Sequence, residues 1–307
     1  MIHIIGGSKT GYNLYQYLKS KKIGKAMLYY FPKEYSAKKR KGQPFEEWRK
    51  VNNTKIIISS ETAFNHLPES YRDDLSTHYF VRNKENFAKI VNHINANYIR
   101  SFTLSDVQFP VALKPKDAME KKVPFKIKKI KTLKELETCI QYLPDCIMQP
   151  YLNDGEYLQI AIAGYFDGYS SSLIAVEQKN HYPKGISAFV IDKTNENRVM
   201  INNITDYLNK ISYKGFIELE FKKHKESGEY YLMDINPRPW GWFYYYLDGM
   251  KNFKEHLETN EPIKVELRKV WVNFPRLVLS CLKGNLSTPS LLDFIKGKIC
   301  YEPYFQK

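Results

Sequence analysis

The chain has 307 residues, with 47 Lys and Arg against 33 Asp and Glu, giving a formal charge of +14 and a pI near 9.3. Its 43% hydrophobic and 26% charged residues support a buried core and exclude wholesale disorder, while 15 Gly and 15 Pro exclude collagen-like and low-complexity classes. Composition leaves the excess charge open to four readings: a nucleic acid, an anionic membrane face, an anionic small molecule, or a lysine-rich background.

The start, Met1 to Gly6, lacks a charged leader, a long apolar stretch and a small-residue cleavage site, so it reads as a strand over Ile2–Ile5 rather than a signal peptide. Gly6-Gly7-Ser8 leads into a helix through Tyr12, Leu14, Tyr17 and Leu18. Further strands are expected at Ala26–Phe31, Ile56–Ile58 and Thr77–Val81, and Ser59-Ser60-Glu61 resembles a helix cap. This alternation predicts a small, open parallel sheet. Between these strands, Lys38-Lys39-Arg40-Lys41 reads either as a solvated face or as a polyanion patch.

A helix fits Asn83–Asn97, with Phe87, Ile90, Val91 and Ile94 on one face. Strands then follow at Phe109–Leu113, Phe125–Ile130 and Cys146–Gln149, with a helix at Leu133–Leu143 before the third. Tyr157–Tyr165, Ser172–Glu177, Ser187–Ile191, Gly215–Phe221 and Tyr230–Ile235 read as mostly antiparallel strands, and Asn203–Ile211, Phe243–Glu258 and Leu291–Lys296 as helices. Parallel α/β followed by α+β implies two or three lobes. No apolar run reaches the ~20 residues of a membrane-spanning helix. The four scattered cysteines, with no C-x-x-C pair, make neither a disulfide framework nor a structural zinc site. The expectation is a reduced, cytoplasmic protein.

Chemistry concentrates in a few segments. Gly6-Gly7-Ser8-Lys9-Thr10-Gly11 matches neither a Walker A loop nor the dinucleotide fingerprint, and reads as a tight turn or as a contact to a small anion. The strongest signal is Gly215–Phe221, a turn at Ser227-Gly228, then Tyr230–Arg238, together a hairpin. Alternation places Glu218 and Glu220 on one face of the first strand, and Asp234 and Asn236 on one face of the second, with Tyr230 and Leu232 extending it. If the faces coincide, Glu220, Asp234 and Asn236 gather hard oxygens suited to Mg²⁺, and Arg238 follows as a partner for phosphate or carboxylate. An ordinary solvated hairpin is the alternative.

Met233-Asp-Ile-Asn-Pro-Arg-Pro-Trp-Gly241 resembles the metal-binding signature of the ATP-grasp superfamily, and Gly215–Phe221 is similar to the strand carrying its other metal-binding acid. Cys146–Leu152 resembles the strand and hinge that hold adenine. Phe109–Pro115 resembles the strand of the first phosphate-binding lysine, and Lys126 looks like the second. These motifs stand in family order within roughly residues 1–260, and the tail Val270–Lys307 looks like the helical extension of uncharacterised predicted carboxylate–amine ligases.

The resemblance implies an ATP-grasp fold of α/β and α+β type. Its parts would be a pre-ATP-grasp α/β domain over 1–82, a small lobe over 83–152, and a large lobe with a C-terminal helical extension over 153–307. ATP would lie clamped between the two lobes. Lys114, Lys126 and, more loosely, Lys179 would meet its phosphates. Gln149, Tyr151 and Leu152 would hold adenine, and Glu156 the ribose. Glu220, Asp234 and Asn236 would hold Mg²⁺, with Mn²⁺ as a substitute, while Arg238 and Lys184 would face the reacting groups. The implied reaction joins a carboxylate to an amine through an acyl phosphate, with amino acids among the candidate substrates and a homodimer within the family's range.

The sequence departs from the family in two places. Lys116–Val123 has no glycine where a glycine-rich phosphate loop is usual, and Asp234 stands where Glu is usual. A catalytically degenerate ATP-binding relative is therefore one alternative. A nucleic-acid binder is another, although the nine lysines of 114–134 have few aromatics among them. Trp240–Tyr246 reads as a core helix or as a wall of the acceptor pocket, and His181 as a rim histidine or as a base.

Overall fold

The computed structural model describes the chain except residues 40, 49–53, 72–74, 117–122, 126, 169–170, 183–185, 285–287, 290–292, 294–295, 297 and 302–307. The N-terminal part alternates β1 (Ile2–Ile5), α1 (Lys9–Ser20), β2 (Ala26–Tyr30), α2 (Tyr35–Lys39), β3 (Gln43–Pro44) and β4 (Lys55–Ile58). The strands pair in parallel in the order β3-β2-β1-β4, as a strand–helix repeat requires. Ser8 caps α1 by accepting the Gly11 N–H at 3.0 Å. The preceding glycine loop is a tight turn. Gly6 has φ +105°, and a Cβ there would collide with Ser60. The Gly7 N–H donates to the chain's own Glu34 carboxylate, which also accepts the Phe31 N–H at 2.8 Å.

α3 (Glu61–His66) starts at the expected cap, with the Ser60 hydroxyl accepting the Ala63 N–H. The strand expected at Thr77–Val81 is instead helix α4 (Ser76–Arg82). Its aromatic and β-branched residues mimic a strand, but the buried pair His78 and Val81 lies three residues apart, which is a helical spacing. After a 3₁₀ turn at Lys84–Asn86, α5 (Phe87–Ile94) buries the four apolar residues its periodicity marked and ends on Asn95 in the left-handed region, φ +54°.

Next comes a small antiparallel sheet of β5 (Val111–Pro115), β6 (Lys128–Ile130) and β7 (Cys146–Pro150), with β5 central. Between β6 and β7 the expected helix is shortened to α6 (Leu133–Glu137) followed by a 3₁₀ turn at Ile140–Asp145.

The remaining elements are β8 (Tyr157–Phe166), β9 (Ile174–His181), β10 (Ser187–Asp192), α7 (Arg198–Lys210), β11 (Gly215–His224), β12 (Tyr230–Asn236), α8 (Phe243–Gly249), α9 (Phe253–Thr259), β13 (Val270–Val272), α10 (Phe274–Leu282) and β14 (Ile299–Tyr301). Seven strands form one sheet in the order β12-β11-β8-β9-β10-β13-β14. The helix expected over 243–258 is two helices. The break comes at Gly249, whose carbonyl accepts the Glu266 N–H at 2.9 Å and where a Cβ would press on Leu267. The tail adds strands as well as a helix, because β13 and β14 extend the large sheet beyond β10. The helix expected at 291–296 falls mostly outside the described residues.

The large sheet has two covered faces. On one, Ile160, Ile162, Ile217, Leu219 and Phe221 pack against Ile90 and Ile94 of α5 and Ile201 and Ile204 of α7. On the other, Ala161, Ala163 and Val176 join a cluster holding Trp240, Trp242, Phe243 and Tyr246 together with Leu14 and Leu18 of α1. Trp240 and Trp242 are thus core residues, and the N-terminal sheet shares its core with the large one. Each fully buried side chain of this size contributes about 2–3 kcal/mol, so the face of β11 and β12 is anchored to both parts.

Candidate functional site

The centre of the site is the β11–β12 hairpin. Glu218 pairs with Asn236 and Glu220 with Asp234, so the two polar faces coincide. The register then shifts between Glu220 and Phe221, and Phe221 pairs with Leu232, which leaves Met233 as the extra residue of a β-bulge. The expected extension of the polar face through Leu232 and Tyr230 is therefore absent. The bulge turns Leu232 to the opposite side, where it packs with Ile217, Leu219 and Phe221 and Tyr230 packs alongside. On β8, Ala161 and Ala163 stand opposite Glu220 and Glu218.

Glu218 is buried and Glu220 stands half-buried beside it, and both carboxyls are raised above the ordinary carboxylate range, first by loss of water and then by neighbouring acids. The Asn236 amide donates to Glu218 Oε2 at 3.1 Å and reaches Glu220 Oε1 at 3.4 Å. Its carbonyl accepts from Arg238 Nη2 at 3.0 Å. Arg238 also donates from Nε to Glu61 Oε1 at 2.6 Å and from Nη1 to the Pro239 carbonyl at 3.0 Å, which uses three of the five guanidinium N–H groups. Glu61, at the start of α3, binds Arg82 of α4 through its other oxygen at 2.8 Å. Burial raises the Glu61 carboxyl, but Arg238 and Arg82 outweigh this and hold it below its ordinary value.

Lys114 enters from the small sheet. Its side chain is 8% exposed, and Nζ donates to Gln149 Oε1 on the neighbouring β7 at 3.1 Å. Gln149 is fixed in turn by donating to the Ile99 carbonyl at 3.0 Å. Burial pulls the ammonium from an ordinary value near 10.5 down to about 8, and Asp234 and Glu220 across the gap partly oppose that pull. Lys84, in the turn before α5, donates to Asp234 Oδ1 at 2.9 Å. Burial opposes the charge on Lys84, yet Asp234, with Glu61 and Glu220 behind it, holds it above its ordinary value.

Six of the sequence-marked residues are thus brought together: Lys114, Gln149, Glu220, Asp234, Asn236 and Arg238. Tyr151 and Leu152 follow β7, half-buried; the Tyr151 N–H donates to the Pro110 carbonyl at 3.0 Å, and the Lys129 ammonium lies 4.0 Å from its ring centre. Glu156 is exposed on the connection to β8. Lys179 is turned away. Alternation along β9 puts it on the face opposite Val176 and Gln178, where it forms an ion pair with Glu177. Lys126, Lys184 and most of 116–123 lie outside the described residues. His181 is largely buried near Asp154 and Lys222, which pair with each other, and its Nε2 has no hydrogen-bond partner. Sequence reading passed over Lys84 and took Glu61 only for a cap residue. The two join the site across 150 and 177 residues, respectively, and no local pattern announces such pairs.

Among the described residues, no group of three or more His, Cys, Asp or Glu is placed to hold a metal ion by itself. The donor chemistry still fits Mg²⁺, since Glu220 and Asp234 are paired across the hairpin and Asn236 adds a carbonyl oxygen that here accepts from Arg238, and this ion takes a few carboxylates plus phosphate oxygens. No helix among the described residues is long and apolar enough to cross a membrane.

No protein-family model and no curated protein matches the chain. Solved structures do. A carboxyaminoimidazole ribonucleotide synthase from Aspergillus clavatus, complexed with ATP, aligns with TM-score 0.63 at 14% identity, over 94% of this chain and 86% of that one. An L-amino acid ligase from Bacillus licheniformis aligns with TM-score 0.58 at 15% identity, over 88% and 78%. An N5-carboxyaminoimidazole ribonucleotide synthetase from Thermotoga maritima gives 0.57 at 15%, over 87% and 77%. These likenesses span nearly the whole chain, and with the three sheets in place they identify its architecture as the ATP-grasp fold.

Proposed function

We propose that the protein is an ATP-dependent carboxylate–amine ligase that forms an amide or peptide-like bond through an acyl phosphate and releases ADP. The observation that carries this reading is the meeting of Lys114, from the small sheet, with Glu220 and Asp234 of the large one, a buried cation facing two half-exposed carboxylates across a gap between two sheets. The solved structures with this fold include an L-amino acid ligase and proteins complexed with ATP or ADP, which supports the nucleotide and the reaction class.

In this reading, residues 1–82, 83–152 and 153–307 act as the N-terminal domain, small lobe and large lobe. Lys114 neutralises phosphate charge, and burial strengthens that interaction because little water competes. Gln149 holds the lysine in place and, with Tyr151 and Leu152, borders the adenine position; Glu156 is assigned to the ribose. Mg²⁺, when bound, supplies charge neutralisation at the transferring phosphoryl group, and Glu220, Asp234 and Asn236 are the residues that would hold it. Arg238, kept rigid by Glu61 and Asn236, offers its remaining N–H groups to the reacting carboxylate. Lys126 and Lys184 are assigned to phosphate and substrate on motif position alone. No protein nucleophile is needed, because phosphoryl transfer depends mainly on position and charge. A soluble cytoplasmic protein acting on small molecules fits this assignment. The test is incubation with Mg-ATP and a panel of amino acids, singly and in pairs, with ADP release as the signal. Absence of both ADP binding and ADP release across the panel would dismiss the proposal.

A further inference from the structure

The oxygens of Glu220, Asp234 and Asn236 are not all open. Lys84 takes Asp234 Oδ1 at 2.9 Å, Arg238 takes the Asn236 carbonyl at 3.0 Å, and the Asn236 amide reaches Glu220 Oε1 at 3.4 Å. Three of the five oxygens that these side chains offer therefore already carry a protein donor. Mg²⁺ demands near-ideal octahedral geometry, so two ions drawing on the same three residues would need most of those oxygens freed. Lys84 is also held in place. It opens the 3₁₀ turn Lys84–Asn86, which Asn83 caps by accepting the Glu85 N–H on its side-chain Oδ1 at 3.0 Å, and its ammonium lies 6.0 Å from the Phe87 ring centre.

We propose that Lys84 is the resident cation of Asp234, standing where a second divalent ion would otherwise bind, so that the chain takes its nucleotide with a single metal ion. The inference rests on the nucleotide-binding reading above and goes beyond it by setting the metal count. A lysine ammonium is a point charge comparable in reach to a hydrated cation, and unlike a metal it needs no carboxylate cage.

The experiment counts Mn²⁺ by electron paramagnetic resonance on the full-length protein saturated with the β,γ-imido analogue of ATP, with calorimetry following the nucleotide itself. Wild type and Lys84→Arg should bind one ion per chain. Lys84→Met, which frees Asp234, should bind two. Two ions in the wild type, or a single ion in a folded Lys84→Met, overturns the proposal. The wild-type count decides even where the variant fails to fold. If calorimetry shows no nucleotide binding to the wild type, the ligase reading falls and this inference falls with it; nucleotide bound together with two ions removes the role of Lys84 alone.

Discussion

Lys114→Met should make the protein more stable and a poorer nucleotide binder at once. The buried ammonium titrates near about 8 instead of 10.5, so holding its proton in the folded state costs about 3 kcal/mol, at ~1.36 kcal/mol per unit. The unfolded chain binds that proton more tightly. The cost is therefore fully present below about pH 8 and is relieved as the pH rises toward 10.5. Methionine removes the charge at nearly constant volume but strands Gln149 Oε1, a loss of roughly 1–2 kcal/mol. The net expectation is a gain of about 1–2 kcal/mol at pH 7 that vanishes or reverses by pH 10.5. Affinity for Mg-ADP should move the other way, by about thirtyfold, since a charge-assisted bond to phosphate contributes about 2 kcal/mol. Urea unfolding at the two pH values, followed by tryptophan fluorescence, measures the first effect, and calorimetric titration the second. Comparing the two proteins cancels the titration of all other lysines and tyrosines. A variant that is less stable at pH 7 and keeps the wild-type pH slope would refute the argument, because the lysine would then not be desolvated.

Three further outcomes follow from the same geometry. Asp234→Ala should reduce ADP release by a hundredfold or more with little change in the circular dichroism spectrum, since Asp234 stands at the hairpin's polar face and outside its core; retained turnover would remove the metal argument. Glu61→Gln leaves Arg238 and Arg82 without their acid and should lower stability by about 3 kcal/mol near neutral pH. Because the Glu61 carboxyl titrates below its ordinary value of 4.5, that contribution is present above pH 4.5 and is lost on further acidification, so the two proteins should converge in acid unfolding. Gly164→Ala should cost about 1–3 kcal/mol and leave nucleotide affinity unchanged, because the new Cβ would sit 2.5 Å from the Ser172 carbonyl oxygen; a drop in melting temperature with unaltered ADP titration checks it.

The hairpin was legible because alternation is a local property. Glu218, Glu220, Asp234 and Asn236 needed only period two and a turn, and their pairing came out as that rule requires. The same rule failed just before Asp234, where the Met233 bulge inserts one residue and reverses the parity of Leu232. Thr77–Val81 failed for a related reason: side-chain preference favoured a strand, while the burial of His78 and Val81 settled a helix. Lys179 carried the right charge in the right segment, but a strand has two faces, and the Glu177 pair claimed it for the other. Lys114 and Gln149 were found through motif order, whereas Lys84 and the role of Glu61 depend on how distant elements pack, which single-residue patterns do not encode.

The Glu61 ion pairs also bear on how the chain can be divided. The boundary at 82/83 that the family resemblance implies falls within a charge network: Glu61 and Arg82 lie before it, and Lys84, Asp234 and Arg238 after it. A fragment beginning at 83 would keep every motif of the proposed nucleotide site yet leave Arg238 without its carboxylate partner. An N-terminal region exchanged for a relative's would have to bring an acid to the same place. The first 82 residues thus supply the acid that pairs with Arg238, and natural or engineered recombination at that seam should succeed only when residue 61 and residue 238 travel together.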